Sequence, residues 1–359
     1  MSPLRYRLQT GFAAAASAVT IAGMDRDGLA ELHTHLGGSV ASEILWSLAH
    51  EQGIALPVKD YWDFDRLVTV SDPRGVPNLD ALDAIYHWTE LIQSSPLAVE
   101  RSVHAAIGGA YRSQGITTLE LRFNPMKRNR GGERDLDHII LAAIRGLDRA
   151  AIEYPQVRCG LILMMDRTFD AELNAIVVEK AIKWAPRGVV GIDIAGPRPG
   201  GSRYDYTQVS PIVESAREAG LGVTIHVGEE GGAHGREEIG EVVESLRPDR
   251  IGHGILAAGD PELVAALRET GIVLEICPTS NLLTKALADE DAVRETFRTF
   301  VDGGVQFTIA TDGPEMMHTH LRDEFELLTR IGALDEDEAR EANRRGHEAS
   351  FVRGGAVRA

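Results

Sequence analysis

Hydrophobic residues recur along this chain at two alternating spacings. From about residue 29 to about residue 330, short apolar runs rich in β-branched residues alternate with longer segments whose apolar positions repeat at helical spacing. Eight of the short runs predict strands: LAELHTH, TTLELRF, RCGLILMM, GVVGIDIAG, GVTIHVG, DRIGHGI, IVLEICP and VQFTIATD. Eight strand-helix units favour an α/β fold of the (β/α)₈ TIM barrel type. An open doubly wound sheet is disfavoured because the chain has no Gly-x-Gly-x-x-Gly turn.

The predicted barrel domain covers residues 29 to 345. Residues 55 to 98 are too long for an ordinary connection after the first strand, so they predict a helical insertion over the barrel mouth, where a lid would lie. Residues 1 to 28 are interpreted as an N-terminal leader segment, with a secretory signal as the alternative because arginines precede an alanine-rich run. Residues 346 to 359 are predicted to form a C-terminal tail.

Charge and cysteine content narrow the functional classes. Lys plus Arg number 37 against 54 Asp plus Glu, which gives a formal net charge of −17 and a pI near 5.2. Such an acidic chain repels a phosphate backbone, so no nucleic-acid partner is expected. No apolar stretch approaches the roughly 20 residues that cross a membrane, so no membrane partner is expected either. The two cysteines, Cys159 and Cys277, lie far apart in predicted strands, which favours a reducing, cytoplasmic location.

Titratable side chains cluster at the ends of the predicted strands. In a barrel of this type the C-terminal strand ends converge on one face, where active sites are built. Two histidines one residue apart on the first strand project to the same side, because strand side chains alternate. The strand-end residues are His33 and His35 on strand one, His226 and Glu229 on strand five, His253 on strand six, and Asp312 on strand eight.

Three neutral imidazoles and one carboxylate are a typical ligand set for a divalent metal with an open water position, usually zinc. A metal lowers the pKa of bound water towards 7 and so supplies a nucleophile for hydrolysis. Taken singly, each signal has a structural alternative: a strand-end histidine is often a satisfied core residue, and Asp312 is a candidate helix N-cap. A structural zinc site favours cysteine ligands, and no cysteine accompanies these residues in the sequence.

Seven segments carry a family resemblance: ELHTHLGGS, TLELRFNP, GIDIAG, HVGE, RIGHG, EICPTSN and TIATDGP. In this order and spacing the chain resembles the adenosine deaminase family of metal-dependent amidohydrolases, from about residue 29 to 345. The resemblance implies a hydrolase acting on a cyclic amidine C–N bond, which deaminates a 6-aminopurine nucleoside and uses one Zn²⁺ per subunit. A small purine nucleoside or nucleotide is therefore the expected partner, and the oligomeric state stays open.

The resemblance also assigns roles to individual residues. Glu229 would protonate a ring nitrogen of the purine, and His253 would orient the attacking water and assist its deprotonation. Gly196 would present its backbone amide to another ring nitrogen. Asp312 would accept a hydrogen bond from the attacking hydroxyl besides binding the metal. The zinc ligands implied are His33, His35, His226 and Asp312.

The chain departs from the family pattern around the expected sugar and purine contacts. Gly37 stands where an acid usually contacts the ribose 5′-hydroxyl, and Gly313 stands where a second aspartate contacts the imidazole side of the purine. The segment after Gly196 adds Arg198, while the backbone at Gly37 and the hydroxyl of Ser39 offer donors to an anion. These five residues are the predicted substrate contacts. They leave open whether the substrate is adenosine or a modified or anionic analogue.

Three alternatives to this function remain at this point. The first is a deaminase of a 6-aminopurine nucleotide such as AMP or N6-substituted AMP. The second is a metal-binding family member without deaminase activity, and the third is an amidohydrolase of another reaction type. A second His-x-His pair, His318 and His320, is interpreted as a surface pair, since residues two apart in a helix diverge by about 200°.

Overall fold

A computed structural model describes residues 28–72, 74–77, 79–197, 203–229 and 234–352. The predicted leader, apart from Gly28, lies outside the described residues, as do Arg198 and the last seven residues of the predicted tail. The division of the chain into leader, barrel and tail therefore stays a prediction.

Eight parallel strands form one sheet in which each strand pairs with the next in sequence. Each strand overlaps one of the eight predicted runs, so the predicted (β/α)₈ barrel is confirmed. The strands are β1 (Leu29–His35), β2 (Ile116–Phe123), β3 (Arg158–Asp166), β4 (Val189–Ala195), β5 (Gly222–Val227), β6 (Arg250–His253), β7 (Val273–Ile276) and β8 (Phe307–Ile309).

The first and last strands meet through the backbone of Asp312. Its amide donates to the carbonyl of His33 at 2.9 Å, and its carbonyl accepts from the amide of His35 at 2.8 Å. Beneath this seam, the buried carboxylate of Glu31 accepts hydrogen bonds from the amide of His33 and from the amide and hydroxyl of Thr311. The seam of the barrel thus passes through three residues predicted to bind a metal.

Helices surround the barrel, and several begin at an Asp or Ser side chain that caps free backbone amides, as at Asp135, Asp170 and Asp260. The helices are α1 (Ser42–Glu51), α2 (Tyr61–Val68), α3 (Leu79–Ile92), α4 (Pro96–Gly109), α5 (Leu136–Glu153), α6 (Ala171–Trp184), α7 (Ser210–Glu218), α8 (Gly235–Glu241), α9 (Pro261–Thr270), α10 (Pro278–Leu283), α11 (Glu290–Gly303), α12 (Pro314–Met317), α13 (Leu321–Arg330) and α14 (Glu336–Ala349). Within the described residues, none of them has the length and apolar character needed to span a bilayer.

The insertion after β1 folds as α2 and α3 and lies over the strand ends. A small apolar cluster fixes it there, since Val70, Val76 and Leu82 of the insertion pack against Met316 and Met317, which follow β8. The backbone amide of Val70 also donates to the carbonyl of Met316 at 2.8 Å. The insertion therefore rests on the segment that carries Asp312.

Charged side chains fill the centre of the barrel below the strand ends. Arg250 on β6 binds Glu275 on β7 at 2.5 Å and Glu120 on β2, and each of the three is at most 1% exposed. The Arg250 guanidinium also lies 3.6 Å from the centre of the Phe351 ring. Helix α14 runs past residue 345, and directly after it the Ser350 hydroxyl and the Phe351 amide donate hydrogen bonds to Glu120.

We expect Arg250→Met to destabilise the barrel strongly. The change removes the arginine partner of Glu120 and one of two arginine partners of Glu275, and uncompensated buried charge costs about 3–5 kcal/mol. Urea unfolding followed by circular dichroism would measure the loss. Arg344→Met is the matched control, because Arg344 is exposed and its ion pairs with Glu341 and Glu348 lie at the surface. Equal urea midpoints for the two variants would contradict the prediction.

Candidate active site

A cavity of about 270 Å³ opens at the C-terminal ends of the strands, below the insertion. Six of the residues predicted from sequence line it: His35, Gly196, His226, Glu229, His253 and Asp312. His33 is fully buried directly beneath, with its ring 4.4 Å from that of His226. Gly37, Ser39 and Gly313 do not line the cavity.

Four of these side chains point their ligand atoms at one place. The Nε2 atoms of His35 and His226 are 3.1 Å apart, and His35 Nε2 is 3.4 Å from Asp312 Oδ1. The buried Nε2 of His33 belongs to the same cluster and has no hydrogen-bond partner in the described part of the chain. Ligands about 2.0–2.1 Å from a tetrahedral zinc ion lie roughly 3.3 Å from one another, so the donor set fits a metal.

Buried carboxylates orient two of the histidines. Glu275 Oε2 lies 2.7 Å from His33 Nδ1, and Asp193 Oδ2 lies 2.9 Å from His226 Nδ1. A carboxylate that accepts a hydrogen bond from Nδ1–H leaves the Nε2 lone pair free for a metal and fixes the ring plane. Arg122 joins the two carboxylates, at 2.8 Å from Asp193 and 2.7 Å from Glu275.

The electrostatics of the site keep the imidazoles of His33, His35 and His253 neutral and these carboxylates ionised. Burial lowers the pKa of His33 and His35 well below the ordinary value and that of His253 to about 4. Burial alone would raise the pKa of Asp193 and Glu275. His226, which hydrogen-bonds Asp193, and the cation Arg122 outweigh this effect at Asp193 and lower its pKa to about 2. Arg122 and Arg250 do the same at Glu275, whose pKa is also lowered to about 2. Neutral imidazoles are the form that binds a metal.

Glu229, His253 and Asp312 form a second group at the cavity wall. His253 Nε2 lies 3.6 Å from Glu229 Oε2, while Asp312 Oδ2 accepts a hydrogen bond from Ser280 Oγ at 2.7 Å. The backbones of His253 and Asp312 have φ values of +62° and +65°. This left-handed conformation is uncommon for residues with side chains and costs of order 1–3 kcal/mol, a strain that clusters at functional sites.

The structure gives the remaining predicted contacts different surroundings. A Cβ atom at Gly37 would lie 2.9 Å from Tyr86 Cδ1, and one at Gly313 would lie 3.1 Å from Tyr86 Oη. The hydroxyl of Ser39 donates to the carbonyl of His35 at 2.5 Å instead of facing the cavity. Gly196 has φ +89°, and a Cβ there would meet the Asp166 carboxylate at 2.8 Å, so glycine is required at this position.

Charges at the cavity mouth largely pair with one another. Lys127 Nζ lies 2.6 Å from Asp166 Oδ2, and burial raises the pKa of Asp83 to about 7 although Lys127 opposes the shift. Arg198 lies outside the described residues. Arg203 binds Glu241 at 2.5 Å outside the cavity.

The second His-x-His pair does not lie within one helix. His318 is an exposed residue directly after α12, and His320 occupies the N-cap of α13. Neither residue lines the cavity.

Sequence reasoning missed four residues at or below the site: Tyr86, Arg122, Asp193 and Glu275. The last three had a signal, because a charged residue inside an apolar strand needs a buried partner of opposite charge. Tyr86 had none, because it occupies an ordinary position in an amphipathic helix.

Known proteins resemble the chain along nearly its whole length. The family model for adenosine deaminase matches residues 28–357. An adenosine deaminase of Shewanella denitrificans is 30% identical over 326 residues, which are 90% of this chain and 94% of that protein. An aminodeoxyfutalosine deaminase of Acidothermus cellulolyticus is 33% identical over 315 residues, 84% of this chain and 82% of that protein. Among solved structures, a cog1816 amidohydrolase from Burkholderia ambifaria with bound Zn shares the fold, with 22% identity, a TM-score of 0.81 and coverage of 97% of this chain and 91% of that chain.

We expect Asp193→Asn to weaken metal binding about 10- to 100-fold, because the amide no longer carries the charge that fixes His226. Competition with a chromophoric chelator would measure the affinity for Zn²⁺. Asp148→Asn is the matched control, since Asp148 pairs with Arg187 at the surface. An unchanged zinc affinity in Asp193→Asn would show that His226 needs no carboxylate behind it.

Proposed function

The chain belongs to the adenosine deaminase family, and from this membership we propose that it hydrolyses the C6 amino group of a neutral 6-aminopurine nucleoside, giving the 6-oxo product and ammonia. It is a hydrolytic deaminase of an adenosine-like substrate. The observation that carries the finer proposal is that His35, His226, Glu229, His253 and Asp312 line one cavity, with His33 buried directly beneath it.

The family is one of metal-dependent amidohydrolases, and we assign the metal as a single zinc ion bound by His33, His35, His226 and Asp312. Imidazole and carboxylate ligands without thiolates suit a catalytic zinc site. When bound, the metal lowers the pKa of water and so supplies a hydroxide nucleophile at neutral pH. Ser280, Glu275 and Asp193 keep the ligands in place.

Glu229 acts in the proposed mechanism as the general acid. Water adds its oxygen to C6 of the purine while Glu229 donates a proton to the adjacent ring nitrogen N1, which relieves the negative charge that builds on the ring. The C6–N bond then breaks and ammonia leaves. One of the two protons of water departs with ammonia and the other restores Glu229. His253, 3.6 Å from Glu229, orients the attacking water, and the backbone amide of Gly196 faces a further ring nitrogen.

Cavity size and charge favour a nucleoside over a nucleotide. The volume of about 270 Å³ lies near the lower end of the roughly 300–1,000 Å³ of small-molecule sites. The described lining residues include five carboxylates against three side chains that carry a fixed positive charge. The carboxylates belong to Asp83, Glu90, Asp166, Glu229 and Asp312, and the cations to Lys127, Arg130 and Arg167. Asp83, Glu90 and Asp166 interact with Lys127, so these carboxylates occupy a cation that a phosphate group would need.

A substrate panel tests the proposed function directly. Adenosine, 2′-deoxyadenosine, adenine, AMP and N6-methyl-AMP would be compared by ammonia release and by the ultraviolet change at the purine. We expect a neutral nucleoside to have the highest kcat/KM and AMP to be at least tenfold poorer. Faster turnover of AMP or N6-methyl-AMP would support a nucleotide deaminase instead. Zinc-loaded protein inactive on the whole panel would support a family member without this activity.

We expect Glu229→Gln to bind zinc normally and to lose about 10²–10⁴-fold in kcat, because an amide is too weak an acid to protonate the ring. Metal analysis and the ammonia assay would measure the two properties. Glu237→Gln is the matched control, since this exposed glutamate contacts His234 and Arg203 outside the cavity. Rates close to wild type in Glu229→Gln would remove Glu229 from the mechanism.

A further inference from the structure

Tyr86 brings a hydroxyl group from the insertion into the cavity. It lies on α3 and lines the cavity. Its ring centre is 5.7 Å from that of His35, and the two rings are tilted by 59°. Its hydroxyl is 3.4 Å from Asp312 Oδ1. This separation exceeds the 2.5–3.0 Å of an ordinary O–H···O hydrogen bond, so Asp312 holds the hydroxyl only loosely. The phenol can therefore donate to a ligand.

Three glycines make room for this side chain. A Cβ atom at Gly37 would lie 2.9 Å from Tyr86 Cδ1, and Cβ atoms at Gly38 and Gly313 would lie 3.3 and 3.1 Å from Tyr86 Oη. The Cβ of Gly38 would also lie 2.6 Å from the Cα of Gly313. Side chains at these positions would displace Tyr86 or the turn beneath it. The glycines after β1 and β8 and the tyrosine on α3 thus form one packing unit.

The barrel order puts Tyr86 and Glu229 on opposite sides of the metal-ligand cluster. Tyr86 covers the ends of β1 and β8, which are neighbours through the seam at Asp312, whereas Glu229 follows β5, halfway around the ring of eight strands. In a 6-aminopurine, N1 and the imidazole nitrogen N7 lie on opposite flanks of C6. A purine with C6 at the cluster and N1 at Glu229 therefore turns N7 towards β1 and β8.

We infer that the Tyr86 hydroxyl donates a hydrogen bond to N7 of the purine and so selects nucleosides with an intact imidazole edge. N7 is an acceptor and a phenol is protonated at neutral pH, so donor and acceptor match. The inference rests on the proposed function, which sets the orientation of the ring. Because Tyr86 belongs to the insertion, the same contact links recognition of the base to the position of α3 over the cavity.

Replacing N7 by carbon tests the contact. The wild-type protein and Tyr86→Phe would be compared with adenosine and 7-deazaadenosine for kcat/KM, and with inosine and 7-deazainosine for binding by calorimetry. A neutral hydrogen bond predicts that the wild type prefers the N7 compound about 5- to 10-fold in both measurements. For Tyr86→Phe, kcat/KM and binding affinity are expected to differ by less than twofold between the two members of each pair, and the variant is expected to retain its zinc.

Two further variants separate this role from packing. Tyr61→Phe is the control, because the Tyr61 hydroxyl on α2 lies 2.8 Å from Ser42 Oγ and does not line the cavity, so it is expected to keep the wild-type preference. Gly313→Ala keeps the Tyr86 hydroxyl but crowds it at 3.1 Å, and is expected to reduce the preference.

The inference and the proposed function fail in different ways. A wild-type protein that does not distinguish the N7 and 7-deaza compounds, or binds neither, overturns the inference. A Tyr86→Phe protein that loses activity equally on both substrates also overturns the inference, because such a loss shows that the hydroxyl acts only through its contact with Asp312. Absence of ammonia release from every member of the substrate panel contradicts the proposed function instead, and the binding measurements still report on Tyr86.

Discussion

Buried charge beneath the strand ends is the constraint on which the architecture depends. Arg122 and Arg250 lie inside the barrel with 0–1% exposure and are held by Asp193, Glu275 and Glu120. Such charges are tolerated only when every one is paired, because an unpaired buried charge costs several kcal/mol. Pairing fixes the relative positions of β2, β4, β6 and β7, and therefore of the histidines that their carboxylates hold. The same ion pairs that satisfy the barrel interior orient the proposed metal ligands.

A second constraint comes from the seam of the barrel. Asp312 closes the ring through its backbone and supplies a proposed metal ligand through its side chain, in a left-handed conformation that is unfavourable for aspartate. Closure by two hydrogen bonds with His33 and His35 holds this strained residue, so the geometry of three proposed ligands follows from barrel closure itself.

Sequence periodicity was sufficient to predict the barrel, because eight buried strands and their helices leave strong local patterns. It also predicted that His33, His35, His226 and Asp312 lie close together, because the strand ends in this fold converge on one face. Their role as metal ligands stays a prediction. The substrate contacts at Gly37, Ser39 and Gly313 stay predictions. The sequence was less informative there because Tyr86 packs against Gly37 and Gly313. Tyr86 approaches Asp312 from 226 residues away in the chain, and its helix carries no pattern that distinguishes a cavity residue from a half-buried surface residue. Pairwise contacts at such separation are set by packing of the whole domain.

The site therefore has two supports of different kinds. The barrel floor, with its ion pairs and closed seam, holds the proposed metal and acid groups in a fixed arrangement. The insertion contributes Tyr86 through α3. A small apolar cluster attaches the insertion to the segment after β8, and it consists of Val70, Val76, Leu82, Met316 and Met317. Gly37 and Gly313 have no Cβ atom, which leaves room for Tyr86 of the insertion next to the strand ends. The groups proposed to act on the reacting carbon are thus held at the strand ends, while Tyr86, proposed to face the imidazole edge of the purine, belongs to a helix of the insertion.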